Sequence, residues 1–150
     1  AVAGAVAITP ACGYLNPFGA LILGLIAGVV SALAVTRKYK YGYDDSLDVV
    51  GVHGVGGILG MLAIGLLATL TANSAGANGL FFHGGTTQVD RQLFAVVVVA
   101  AFSFTATWLI ATLISKTIGF RAFRDDELNG LDFFFKQKTA YEITGNSNRY

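Results

Sequence analysis

Residues 44–70 read DDSLDVVGVHGVGGILGMLAIGLLATL and predict a helix that crosses a membrane. Carboxylates come first, and from Val49 to Leu70 the only ionisable side chain is that of His53. A helix of about 22 residues rises roughly 33 Å, which is enough to cross a hydrocarbon core of about 30 Å. This segment decides the fold class, and we predict an all-α transmembrane protein.

Glycines surround the histidine. Glycine destabilises a helix in water, but in a membrane it lets a neighbouring helix come close. At helical spacing His53, Gly56, Gly57 and Gly60 share a face. We therefore expect these three glycines to support this helix, with the imidazole beside a closely packed groove.

The residues leave two interpretations of His53 open. The imidazole is either a buried group that bonds a backbone carbonyl and fixes the register of its helix, or part of a pathway. Ionisable groups inside membrane helices are rare and often line such pathways.

The carboxylates of Asp44, Asp45 and Asp48 precede the helix, where they can cap free N–H groups and suit the helix dipole. We predict helix caps at Asp44 and Asp45. Asp48 lies five residues before His53, and we expect it to point inward along the helix and support it.

Other apolar segments accompany this helix. The opening residues AVAGAVAIT precede Pro10, and the residue before a proline is disfavoured in a helix. We expect the chain to be a fragment that starts within an apolar helix. The predicted spans are residues 1–9, 18–36, 49–70 and 93–118, within a transmembrane domain over residues 1–124.

Composition limits the function classes. The chain has 150 residues, of which 54% are hydrophobic and 13% charged, so it is too apolar for an ordinary soluble domain. A net charge of +1 without a basic stripe predicts no nucleic-acid partner. Since the sequence has no Ser/His/Asp set, HExxH, CxxC or phosphate-binding loop, we predict no enzyme, no metal site and no cofactor.

Basic residues predict the orientation. Lysine and arginine cluster at residues 37–40 and from Lys116 onward, whereas residues 71–90 contain neither. The positive-inside rule places the basic segments in the cytoplasm and residues 71–90 outside. We predict a multi-pass protein of the cell membrane with a cytoplasmic C-terminus.

Residues 44–68 resemble the signature helix of the ammonium transporter family (the Amt/Mep/Rh group). AITPACGY at 7–14, FGALILG at 18–24 and GLD at 130–132 follow in the family's order. The resemblance covers residues 1 to about 132. The matching positions of the helix are Asp44, Asp45, Asp48, Gly51, His53, Gly54, Gly56, Gly57, Gly60 and Gly65.

The resemblance implies an eleven-span fold of two inverted repeats, assembled as a homotrimer in membrane lipid with one pore per subunit. This chain would hold the end of the eighth span and the ninth to eleventh spans. His53 would be the second-repeat histidine of a pair that guides ammonium or ammonia through an apolar pore. Because the first-repeat histidine has no counterpart here, we expect residues 1–150 alone not to transport.

The tail departs from the family. We predict that residues 125–150 form a disordered cytoplasmic tail. The family's His-Gly-Glu step is replaced by Lys136-Gln137-Lys138, and FFFKQKTAYEI from Phe133 resembles a translated sequencing adapter. In the family, the tail can bind a PII-type regulator. The replacement changes the segment on which the resemblance places this binding.

Two alternatives to a transporter stay open. One is a relative that senses ammonium without conducting it. The other is a haem-carrying membrane anchor with His53 as an axial ligand. It needs a second ligand, and His83 lies in a polar loop where we expect it to be solvated.

Overall fold

The computed structural model describes residues 1–119, which form helices joined by turns, with no β-strand in that range. The predicted all-α class is confirmed. The first compact unit of the chain is Ala1–Ser103, and a second unit begins at Phe104. The elements are α1 (Val2–Ala11), α2 (Pro17–Tyr41), a π-turn (Val50–Gly54), α3 (Val55–Leu67), a 3₁₀ turn (Leu80–Phe82) and α4 (Thr87–Thr117).

Helices of membrane-spanning length dominate the described part of the chain. Three segments within residues 1–119 are long and apolar enough to cross a bilayer: Pro17–Tyr41, Val50–Leu67 and Thr87–Thr117. Helix α1 is apolar but shorter.

Helix α2 has clear signals at both ends. The side chain of Asn16 accepts a hydrogen bond from the N–H of Gly19 over 2.8 Å, and Pro17 occupies the first helical position. The helix continues past Thr36 and ends where Gly42 adopts a φ of 67°. Residues 37–40 thus lie on the helix rather than in a loop, because lysine and arginine form helix well and suit its C-terminal dipole.

Helix α1 runs through Pro10 to Ala11, whereas the sequence predicts an end near Thr9. The hydroxyl of Thr9 donates to the carbonyl oxygen of Ala5 over 2.7 Å, a bond that a helical threonine makes. Since α1 ends at Ala11, Pro10 lies in the final turn of the helix.

Helix α3 ends at Leu67 rather than at Leu70, because the following residues bond elsewhere. Ala68 is extended, and the N–H of Thr69 donates to the carbonyl oxygen of Tyr14 over 2.9 Å. Helix α4 begins at Thr87, earlier than the predicted span, with Asp90 in its first turn where a carboxylate suits the dipole.

The core lies among α1, α2 and α3, which contact one another. Small residues predominate in it, so the helices approach closely. Its buried hydrophobic residues are Ala7, Ala11, Leu15, Leu23, Ala27, Ala63, Ile64 and Ala68.

Two glycines mark the closest approaches. A Cβ atom on Gly60 would overlap the carbonyl oxygen of Ala7 and lie 2.8 Å from Cγ of Pro10. A Cβ atom on Gly51 would lie 2.8 Å from Cγ2 of Val35 and 2.9 Å from its backbone nitrogen. These contacts hold the π-turn against α2 and α3 against α1.

Candidate functional site

A β-turn from Asp45 to Asp48 leads into the π-turn. The N–H of Asp48 donates to the carbonyl oxygen of Asp45 over 3.3 Å. The carboxylate of Asp45 accepts from the N–H groups of Val49 at 2.7 Å and Val50 at 2.9 Å, which is the geometry of a cap. Asp44 is exposed in the same loop.

We expect Asp45→Ala to lower the free energy of unfolding by about 1 kcal/mol, because two backbone N–H groups at the start of the π-turn lose their acceptor. Asp45→Asn keeps a side-chain acceptor and should recover part of the loss. Thermal unfolding of the detergent-solubilised protein measures the effect, with Ser46→Ala as the neighbouring control. Equal midpoints for Asp45→Ala and Ser46→Ala would contradict the prediction.

Asp48 lies in the turn before the helix, ahead of the predicted span over residues 49–70. Its φ of 57° is a left-handed conformation that cannot continue a helix and that aspartate tolerates better than most residues. Its carboxylate forms an ion pair with Nζ of Lys38 on α2. Its carbonyl oxygen accepts from the N–H of Val52 over 2.8 Å, so Asp48 is tied both to α2 and to the π-turn.

His53 lies in the π-turn and is exposed. The N–H of Val55 donates to the carbonyl oxygen of Val50, five residues back, which is the bond that defines a π-turn. Such turns are rare and occur often at functional sites. The register of this turn determines where the imidazole points.

His53 lines an open cavity of about 480 Å³ within the first compact unit. Ser103 supplies the other polar side chain among the lining residues that the structure describes. The remaining lining is glycine or apolar: Pro10 of α1, Gly54, Gly57, Ile58 and Met61, and Ala95, Val96, Val99 and Ala100 of α4. An imidazole in such a cavity can donate one hydrogen bond and accept another.

The three glycines predicted to share one face with His53 divide between two faces. Gly57 lines the cavity with the histidine. Gly56 and Gly60 are buried and contact α1, at Val6 and Ala7 respectively. The division follows from helix geometry, because Gly56 and Gly57 are consecutive and point about 100° apart.

Two residues of the site were missed in the sequence. Lys38 is separated from Asp48 by a turn, and no local periodicity links them. Ser103 was not among the predicted site residues. The signal for Ser103 was the spacing of Val96, Val99 and Ser103, which places them on one stripe of α4.

His83 is exposed and does not line the cavity with His53. Within residues 1–119 no group of three or more His, Cys, Asp or Glu side chains could hold a metal ion. Trp108 is exposed on α4. The predictions for residues 125–150, including the GLD motif and the adapter-like string, lie outside the described residues.

The π-turn presents His53 to an apolar cavity, and it lies in the segment, residues 44–68, that resembles the ammonium transporter family. A comparison with family profiles agrees with this resemblance. The sequence profile of the Ammonium Transporter Family matches residues 1–141. The chain belongs to this family. The recognition from residues 44–68 is therefore confirmed.

Curated relatives support the assignment. The ammonium transporter of Bacillus subtilis is 43% identical over 143 residues, which cover 95% of this chain and 35% of the relative. The ammonium transporter of Mycobacterium tuberculosis (strain H37Rv) is 45% identical over 147 residues, which cover 95% of this chain and 31% of the relative. The chain thus spans about a third of the length of these relatives.

Solved structures agree with the fold. Mep2 of Candida albicans superposes with a TM-score of 0.73 at 32% identity, covering 83% of this chain and 29% of Mep2. Mep2 of Saccharomyces cerevisiae gives a TM-score of 0.72 at 31% identity, with the same coverage. The relatives are transporters by name and the helices are apolar, so this family member is a membrane protein.

Proposed function

We propose that the complete protein, encoded by the whole reading frame that contains these residues, transports ammonium or ammonia across the cell membrane. The observation that carries the proposal is the position of His53, exposed to an apolar cavity on a helix that is too apolar to lie in water. The names of the Bacillus and Mycobacterium relatives support ammonium as the substrate.

The chemistry of the cavity suits this substrate. A neutral imidazole can accept a hydrogen bond from ammonium and donate one to ammonia. Apolar walls such as Ile58, Met61 and Val99 disfavour a hydrated cation, because a buried charge without partners is costly. The side chain therefore helps to strip the ion of water, and its unprotonated nitrogen accepts the proton of ammonium. Ammonia then moves along the cavity, and the imidazolium returns the proton to water at the open mouth of the cavity.

Further properties belong to the same proposal. The complete protein forms a homotrimer in membrane lipid, with its C-terminus in the cytoplasm and with Asp48 and the glycines of α3 supporting the pore helix. A PII-type regulator would bind the tail. These roles follow from the family resemblance and from the distribution of lysine and arginine.

Uptake of radiolabelled methylammonium tests the proposal. Bacterial cells without their own ammonium transporters are transformed with the complete reading frame or with an empty vector. Cells with the protein should accumulate methylammonium, and excess ammonium should suppress the accumulation because both compete for one pathway. The control is a blot of the membrane fraction, which establishes that the protein is present.

The alternatives give different results. A folded, membrane-inserted protein that binds ammonium without methylammonium uptake would be a sensor-like relative. A visible absorption band in the purified protein would instead indicate a haem-carrying anchor. Either result contradicts the proposed transport.

A further inference from the structure

Lys38 contacts both ends of the β-turn that precedes the π-turn. Its Nζ donates to the carbonyl oxygen of Asp45 over 2.9 Å and forms the ion pair with the carboxylate of Asp48. An exposed ion pair stabilises little, because water screens it. The Lys38 side chain is only 13% exposed, however, and its two contacts join α2 to the turn at separate points.

The turn that Lys38 holds determines where the π-turn starts. The carbonyl oxygen of Asp48 accepts from the N–H of Val52, the residue directly before His53. A π-turn contains one residue more per hydrogen-bonded turn than an α-helix. If this segment returned to α-helical register, His53 would rotate by about 100°, the angle of one residue.

A second contact holds the same segment on α2. Gly51 is buried against Val35, where a Cβ atom would come within 2.9 Å of the Val35 backbone nitrogen. The π-turn is therefore attached to α2 by close packing at Gly51 and by the ion pair ahead of it. Helix α2 acts as the support on which the turn rests.

We propose that Lys38 and Asp48 are positioning residues, which clamp the β-turn onto α2 and thereby hold the π-turn register that directs His53 into its cavity. The inference rests on the proposed function in one respect: the imidazole acts from that cavity. The clamp itself is a property of the structure and can be measured without transport.

Variants of the complete protein test the clamp. Lys38→Met removes the charge, Lys38→Arg keeps it, and Asp48→Asn keeps the shape and the tolerance of a left-handed φ. The matched control is Lys40→Met, since Lys40 lies in the same last turn of α2, is exposed and forms no ion pair with any residue in 1–119.

We expect Lys38→Met and Asp48→Asn to lower the maximal rate of methylammonium uptake at least about fivefold. The reason is that a small displacement of the His53 imidazole from its working position lowers the rate strongly. The KM should stay within about twofold, since the cavity walls are unchanged. Lys38→Arg should retain most of the rate. The double variant should be no slower than Lys38→Met alone, because Lys38→Met already breaks the ion pair and the contact with Asp45.

Hydrogen–deuterium exchange gives the readout that needs no transport. In Lys38→Met and Asp48→Asn, exchange of the peptide over residues 49–55 should be at least about tenfold faster than in the wild type. Lys40→Met should leave it unchanged.

If the peptide over residues 49–55 exchanges at the same rate in Lys38→Met as in Lys40→Met, the proposed clamp is wrong, whatever the rate of uptake. Slower uptake without faster exchange, or additive losses in the double variant, overturns it as well. If the wild type does not transport, the proposed function fails while exchange still decides about the clamp.

Discussion

Replacing His53 by alanine is expected to lower methylammonium uptake by the complete protein at least about tenfold, which corresponds to about 1.4 kcal/mol in the barrier. The imidazole is exposed to the cavity, and among the described lining residues only Ser103 offers another polar side chain. Its removal leaves the Ser103 hydroxyl as the other polar side chain among the described lining residues, in an otherwise apolar space. The fold should survive, because alanine is a good helix former and the π-turn is held by backbone bonds.

The measurement compares initial uptake rates at equal amounts of protein in the membrane. His83→Ala is the matched control, since it removes the other histidine, which is exposed and does not line the cavity. His53→Gln, which keeps a donor and an acceptor, should retain more uptake than His53→Ala. Uptake by His53→Ala at the wild-type rate would show that the pathway does not use the imidazole.

The sequence predicted the fold class because length and hydropathy are enough to identify a membrane helix. The apolar runs correspond to α2, to the π-turn with α3, and to α4. Helix ends were less predictable. Lysine and arginine after Thr36 were interpreted as a loop, yet they extend α2 to Tyr41, because the same residues mark a membrane boundary and form helix well.

The local geometry of the site could not be predicted from the sequence. A π-turn has no periodicity that distinguishes it from an α-helix over five residues. The ion pair between Lys38 and Asp48 depends on a left-handed residue that folds the chain back on α2. The glycine pattern predicted close packing, but the face to which each glycine belongs depends on helix rotation.

Gly60→Ala is expected to remove most of the folded protein, whereas Gly57→Ala leaves it intact. A Cβ atom on Gly60 would overlap the carbonyl oxygen of Ala7. Overpacking costs about 1–3 kcal/mol where side chains can yield, and here the obstacle is backbone, so the cost lies at or above the upper end. The α1–α3 contact would have to separate, and the core between these helices would be lost with it.

Gly57 provides the control within the same helix, because a Cβ atom there has no atom within 4 Å in the described structure. Both changes add one methyl group to a glycine of α3, so helix propensity and hydrophobicity change alike and only the neighbouring backbone differs. Size-exclusion chromatography of the detergent-extracted complete protein, followed by thermal unfolding, measures the folded fraction. A Gly60→Ala protein as abundant and as stable as Gly57→Ala would mean that α1 and α3 do not pack as closely as described. In that case the support for the π-turn and its histidine would have to come from α2 alone.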